Sequence, residues 1–168
     1  ASGGAAQILR AWGANMVGMP MSETPEALQK GVVRGLFSSL EVLKDFKFAE
    51  ICRHATLTNV GVYPFVVVMR KDRWNALPKD VQQVMADLGK EQAGWTGAYM
   101  DGHVKKAVEW SKETYQVSFI HLPPEEKAQW DRLLEPITAE WVEKVRGKGF
   151  PAEAILEDIR ALLRKHAK

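Results

Sequence analysis

The chain has 168 residues, 46% of them hydrophobic and 26% charged, with a net charge of +2. That composition excludes a disordered chain, and the length is ample for a core. So small a charge, with basic residues scattered except for Arg160, Arg164, Lys165 and Lys168 at the end, leaves no footprint for nucleic acid. The one cysteine, Cys52, excludes an internal disulfide, and no apolar run approaches the ~20 residues of a membrane-spanning helix.

In chain order, Ala5 to Trp12 reads as a helix with Ile8, Leu9 and Trp12 on one face, and Asn15 to Met19 as a short strand. The stretch Met19 to Leu43 then predicts a loop, a short helix, a strand and a second helix. Thr24 is the expected N-cap, with Pro25 in the first turn and Glu26 where the helix dipole favours a negative charge. Gly31 is placed to end that helix at positive φ. Val32-Val33 starts a strand, Gly35 turns it, and Ser38 or Ser39 caps the helix Leu40 to Leu43. Two helix starts near one strand end would suit an anion such as an organic acid. Ordinary α/β capping produces the same pattern, and these residues alone do not separate the two readings.

Beyond Leu43, His54 to Thr58 predicts a strand with a turn at Asn59-Val60-Gly61. Tyr63 to Met69 is the strongest strand candidate, β-branched, aromatic and apolar on both faces. A strand without a polar face needs cover on both sides, which favours α/β layering over a helical bundle. Leu77-Pro78 opens a long helix running to about Tyr115. Gly89, Gly94, Gly97 and Gly102 interrupt it at roughly 1 kcal/mol each, which points to a flexing point or to close packing on a neighbour. Val117 to Leu122 predicts a strand. Pro123-Pro124 opens a helix with the stripe Trp130, Leu133, Leu134, Ile137, Trp141 and Val145, in which Pro136 is expected to make a kink. Pro151 begins a last amphipathic helix through Ile155, Ile159, Leu162 and Leu163.

Residues for catalysis are scarce. His54, His103, His121 and His166 never stand at i, i+4 to one another, and there is no HExxH, CxxC, GxSxG, P-loop or GxGxxG. Cys52 and His54 lack a third group, so a buried structural cysteine is the expected reading. The sequence predicts a protein that is not an enzyme and holds no metal or cofactor.

The run from Gly13 to Leu43, and from Thr56-Leu57-Thr58-Asn59 onward, resembles the solute-binding proteins of tripartite ATP-independent periplasmic (TRAP) transporters, the DctP-like family. The residues that carry it are Gly13-Ala14, Met19-Pro20-Met21-Ser22-Glu23, Ala27 to Val33, Trp74 followed by Leu77-Pro78, and the long helical segment after them. The resemblance extends through most of the chain, and the combined order is specific where no single motif is.

The resemblance implies a periplasmic-binding-protein-like α/β fold, a mixed sheet flanked by helices, with a long helix joining two lobes. It implies a ligand-binding lobe formed by residues 1–63 and 104–168, with 64–103 contributing to the other lobe. An arginine that pairs with the ligand carboxylate in the family falls just before Ala1. Most of the N-terminal lobe lies further upstream, so the expected identity is the C-terminal part of a longer periplasmic binding protein. The expected partners are a small carboxylate ligand and TRAP membrane permease subunits. An aromatic side chain is common in the family where Met21 stands, an Asn-Pro pair where Ser38-Ser39 stands, and Val-Asp-Gly where Val33-Arg34-Gly35 stands. Serine donates one hydrogen where an amide donates two. Met21, Phe37, Ser38 and Ser39 are therefore the candidate ligand-binding residues, and they suit a less polar acid. Arg34 is read as a solvated surface residue or as positive charge near the ligand. The alternative is a non-catalytic interaction module that self-associates, since a half-complete cleft leaves apolar surface uncovered.

Overall fold

A computed structural model describes residues 3–61 and 65–166. The described chain falls into two compact units, residues 21–120 and residues 1–20 with 121–168.

The first unit is built around a short βαβ arrangement. Strand β1 (His54–Leu57) and strand β2 (Ser118–His121) pair in parallel, and the Ser118 amide donates to the Arg53 carbonyl at 2.8 Å. Parallel neighbours need a long crossover. The 37-residue helix α5 (Lys79–Tyr115) lies between them, after the short helix α4 (Lys71–Asn75). Helix α5 ends at Gln116 with φ +52, and the Val117 amide closes the last turn on the Ser111 carbonyl at 3.2 Å. That reversal drops Val117 into the core beside Phe48, Ala49, Val42 and Leu43.

Helix α2 (Thr24–Gln29) and helix α3 (Val42–Asp45) precede the sheet, followed by a 3₁₀ turn at Phe48–Glu50. Lys47, at φ +56, makes the bend that tucks Phe48 and Ala49 fully out of solvent. Met21, Leu28, Leu36 and Leu40 pack on the same cluster from the N-terminal side, and Trp110, Tyr115 and Phe119 from the other.

The second unit is helical: α1 (Gly3–Ala11), α6 (Pro124–Arg132), α7 (Glu135–Arg146) and α8 (Ala152–His166). Trp12, just past α1, packs its ring on Trp130 with centroids 4.8 Å apart and donates its indole N–H to the Trp130 carbonyl at 3.2 Å. Ala6 and Ala152 are buried in this unit.

The α/β class holds, and it is helix-rich. Several expected elements do not form. Asn15 to Met19 and Val32-Val33 are irregular rather than strands, and the described sheet has two parallel strands instead of a larger mixed set. Tyr63 and Pro64 lie outside the described residues. Phe65 to Met69 has no regular structure, and Phe65 to Val68 are between 79% and 104% exposed. Strand propensity is fitness for a paired surface, and among the described residues no strand pairs with this one. The stripe expected as a single kinked helix is two helices. The chain turns at Leu133-Leu134, and Pro136 sits in the first turn of α7, where its missing N–H costs nothing.

Candidate functional site

Met21 lies in the turn leading into α2, half-buried and packed on the core cluster. Phe37, Ser38 and Ser39 belong to the irregular segment between α2 and α3, and all three are half-buried. Leu36 and Leu40, on either side, anchor that segment to the cluster that Met21 also touches. Met21 thus packs directly on the apolar cluster, and Phe37, Ser38 and Ser39 lie in the segment whose flanking leucines pack on it.

The two expected helix caps are displaced. Thr24 is the buried first residue of α2, and the cap position is Glu23, whose side chain makes no capping bond. Gly31 does take positive φ, +70, after α2. Ser38 and Ser39 do not cap α3; it starts at Val42, with Glu41 at the cap position. The spacing Ser38-x-x-Glu41 fits a capping box, but the helix begins three residues later than that box requires. Helices of six and four residues align few peptide dipoles, and the strand that was to bring their starts together is absent. The two helix starts therefore do not make the anion site expected of them.

Ser39 is already engaged, its hydroxyl donating to the Glu41 carboxylate. Sequence reasoning missed Glu41. Arg34, the nearest cationic side chain in the same segment, is exposed.

Two further ties hold this region to the long helix. The His103 Nε2 lies 2.9 and 3.0 Å from the two carboxylate oxygens of Asp45, joining α5 to the end of α3. The His103 ring stacks on Tyr99, and Tyr99 on Trp95. The Arg53 guanidinium donates to the Ala49 and Tyr115 carbonyls, each at 2.9 Å, and lies 5.2 Å from the Tyr115 ring centre. Tyr115 donates its hydroxyl to Glu50 at 3.1 Å. Desolvation pushes the Tyr115 phenol up, and the Glu50 carboxylate adds to that by hydrogen bond and charge, against a smaller lowering by Arg53. The His103–Asp45, Arg53–Tyr115 and Tyr115–Glu50 contacts cross 58 to 65 residues of sequence, and no local pattern announces them.

Cys52 is half-buried just before β1, and burial raises its thiol pKa. That is the opposite direction from an activated thiolate. Among the described residues no three His, Cys, Asp or Glu side chains gather as metal ligands, and no helix is long and apolar enough to cross a membrane. In the helical unit, a cavity of about 580 Å³ is lined by Gln7, Ile137, Trp141, Lys144, Leu156 and Ile159. None of the four candidate residues lines it.

Comparison with known proteins supplies the family context. Residues 1–144 match the family model for DctP, the bacterial extracellular solute-binding proteins of family 7. A relative from Rhodobacter capsulatus, named as the C4-dicarboxylate-binding periplasmic protein DctP, is 30% identical over 134 residues, 80% of this chain and 40% of the relative. A TRAP periplasmic solute-binding protein from Desulfovibrio salexigens is similar with a TM-score of 0.87 and 50% identity, over 99% of this chain and 52% of that one. Its crystal structure is an open complex with the C-terminus of a symmetry mate in the ligand-binding site. A TRAP solute-binding protein from Bordetella bronchiseptica, solved with (R)- and (S)-mandelate, has a TM-score of 0.82 at 26% identity, over 97% of this chain and 52% of that one. The chain thus spans about half the length of the solved relatives it matches, and less of the Rhodobacter protein.

Proposed function

The chain belongs to the bacterial extracellular solute-binding proteins of family 7, the DctP family of TRAP transport, and we propose that it forms part of a protein that captures a small organic acid for permease subunits in the membrane. The family is extracytoplasmic, and the named relatives are periplasmic. The family match across residues 1–144 carries this reading. The ligand chemistry of the relatives supports the acid: a C4-dicarboxylate in one name and mandelate in one crystal structure.

In this reading Ser38 donates its hydroxyl to the ligand carboxylate, while Met21 and Phe37 pack on the ligand body. Ser39, occupied with Glu41, holds the loop instead of the ligand. Met21 and Phe37 beside two serines favour a less polar acid. The protein binds and releases its ligand without chemical change.

Residues 1–63 and 104–168 form the ligand-binding lobe, and 64–103 reach into a second lobe. The exposed apolar side chains from Phe65 to Met69, and Val84, Leu88, Trp95 and Tyr99 along α5, support this. Such surface is rarely left to water. Closure of two lobes around the acid would then signal occupancy.

The test is isothermal calorimetry of the full-length protein against mono- and dicarboxylic acids, with Ser38→Ala beside the wild type. The reading predicts binding of one acid class and a loss of roughly fivefold to tenfold in affinity on removing the one hydroxyl donor. An unchanged affinity in Ser38→Ala would remove Ser38 from the site. Absence of binding to every acid would remove the function.

A further inference from the structure

We propose that Glu41 sets the charge class of the ligand, so that the site takes a monoanionic acid and disfavours a dianion. The inference rests on the reading above, in which Ser38 meets the ligand carboxylate.

The Glu41 carboxylate is fixed beside the candidate loop. It is half-buried and accepts the hydroxyl hydrogen bond of Ser39, the immediate neighbour of Ser38. A hydroxyl has one proton to donate, so Ser39 is spent on Glu41 and Ser38 is the remaining serine donor of the segment. Glu41 has no ion-pair partner among the described residues. Its negative charge is therefore not held in an ion pair, either with Lys44 one turn on or with Arg34, the single basic residue between Gly31 and Leu40, which is exposed.

An acid bound at Ser38 brings one carboxylate into this field. A second carboxylate on the same small molecule adds another like-charge repulsion without adding a cation. Near a protein surface, like charges several ångströms apart repel strongly enough for a change of about tenfold in affinity. Specificity of this kind comes from a repulsive element as much as from an attractive one.

Two matched pairs of acids test the proposal on the full-length protein: benzoate with phthalate, and pentanoate with succinate. The measured quantity is the ratio of dissociation constants, dicarboxylate over monocarboxylate, in wild type and in Glu41→Gln. Glutamine keeps an oxygen acceptor for Ser39 and removes the charge. The proposal predicts a wild-type ratio above one for the pair that binds, reduced about tenfold in Glu41→Gln. Raising the ionic strength should narrow the wild-type ratio as well, a readout that does not depend on the variant folding. A wild type that prefers the dicarboxylate, or a ratio left unmoved by a folded Glu41→Gln or by salt, overturns the role of Glu41 and leaves organic-acid binding standing. Failure of the wild type to bind any of the four acids and the wider acid panel overturns both.

Discussion

At the scale of single residues, Phe48 and Cys52 test how the core supports the loop. Phe48 is wholly buried among Val42, Leu43 and Val117. Phe48→Ala should lower stability by about 3–5 kcal/mol in denaturant unfolding, because the cavity it leaves cannot collapse fully. A loss under about 1 kcal/mol would mean that the cluster is loosely packed. Burial raises the Cys52 pKa, so less thiolate is present at a given pH than in a free cysteine. Alkylation of Cys52 at pH 8 should be several-fold slower than that of a free thiol and should recover on unfolding. The sign also fixes the pH dependence: stability from the protonated thiol is full below the unfolded value and is lost as pH rises through the folded one. Cys52→Ser should flatten that alkaline loss. The sequence predicts a buried structural cysteine, since no third group accompanies Cys52 and His54, and the structure leaves Cys52 half-buried instead. Glu41 was not legible in the sequence, because the Ser39–Glu41 bond depends on where α3 begins.

At the scale of elements, the long helix was legible and its glycines were not. Apolar spacing from Val81 to Tyr115 marked α5, and the structure keeps it unbroken from Lys79 to Tyr115. A side-chain carbon added at Gly94 or Gly97 meets nothing within 4 Å, so close packing among the described residues does not explain them. Gly94→Ala and Gly97→Ala should each raise stability by about 0.5–1 kcal/mol in thermal unfolding of this chain. Loss of stability in the full-length protein, but not in this chain, would show that a second lobe packs there. Strands β1 and β2 were found from their local pattern. The strand expected at Tyr63 to Met69 does not form over its described part, because a strand is made by its neighbours, and Phe65 to Met69 has none among the described residues. Pro136 illustrates the same limit in a helix. The apolar stripe reads continuously through it, while the backbone breaks at Leu133-Leu134 and restarts with the proline in its first turn. Pro136→Ala should therefore change stability by less than about 1 kcal/mol, against the roughly 3 kcal/mol effect of a proline in a helix interior.

At the scale of the molecule, family and fold class were readable because they rest on the order of many residues, from Gly13-Ala14 through the long helix. The ligand was less readable. In the proposed reading its recognition depends on a few side chains, Met21, Phe37 and Ser38 among them, rather than on the order of many. The central claim is capture of a small organic acid, and thermal unfolding of the full-length protein with and without a panel of carboxylic acids tests it most directly. An acid at 100 times its dissociation constant should add about 2.7 kcal/mol of stability, a clear rise in melting temperature confined to one class of acids. A melting temperature unmoved by every acid in the panel would contradict the account.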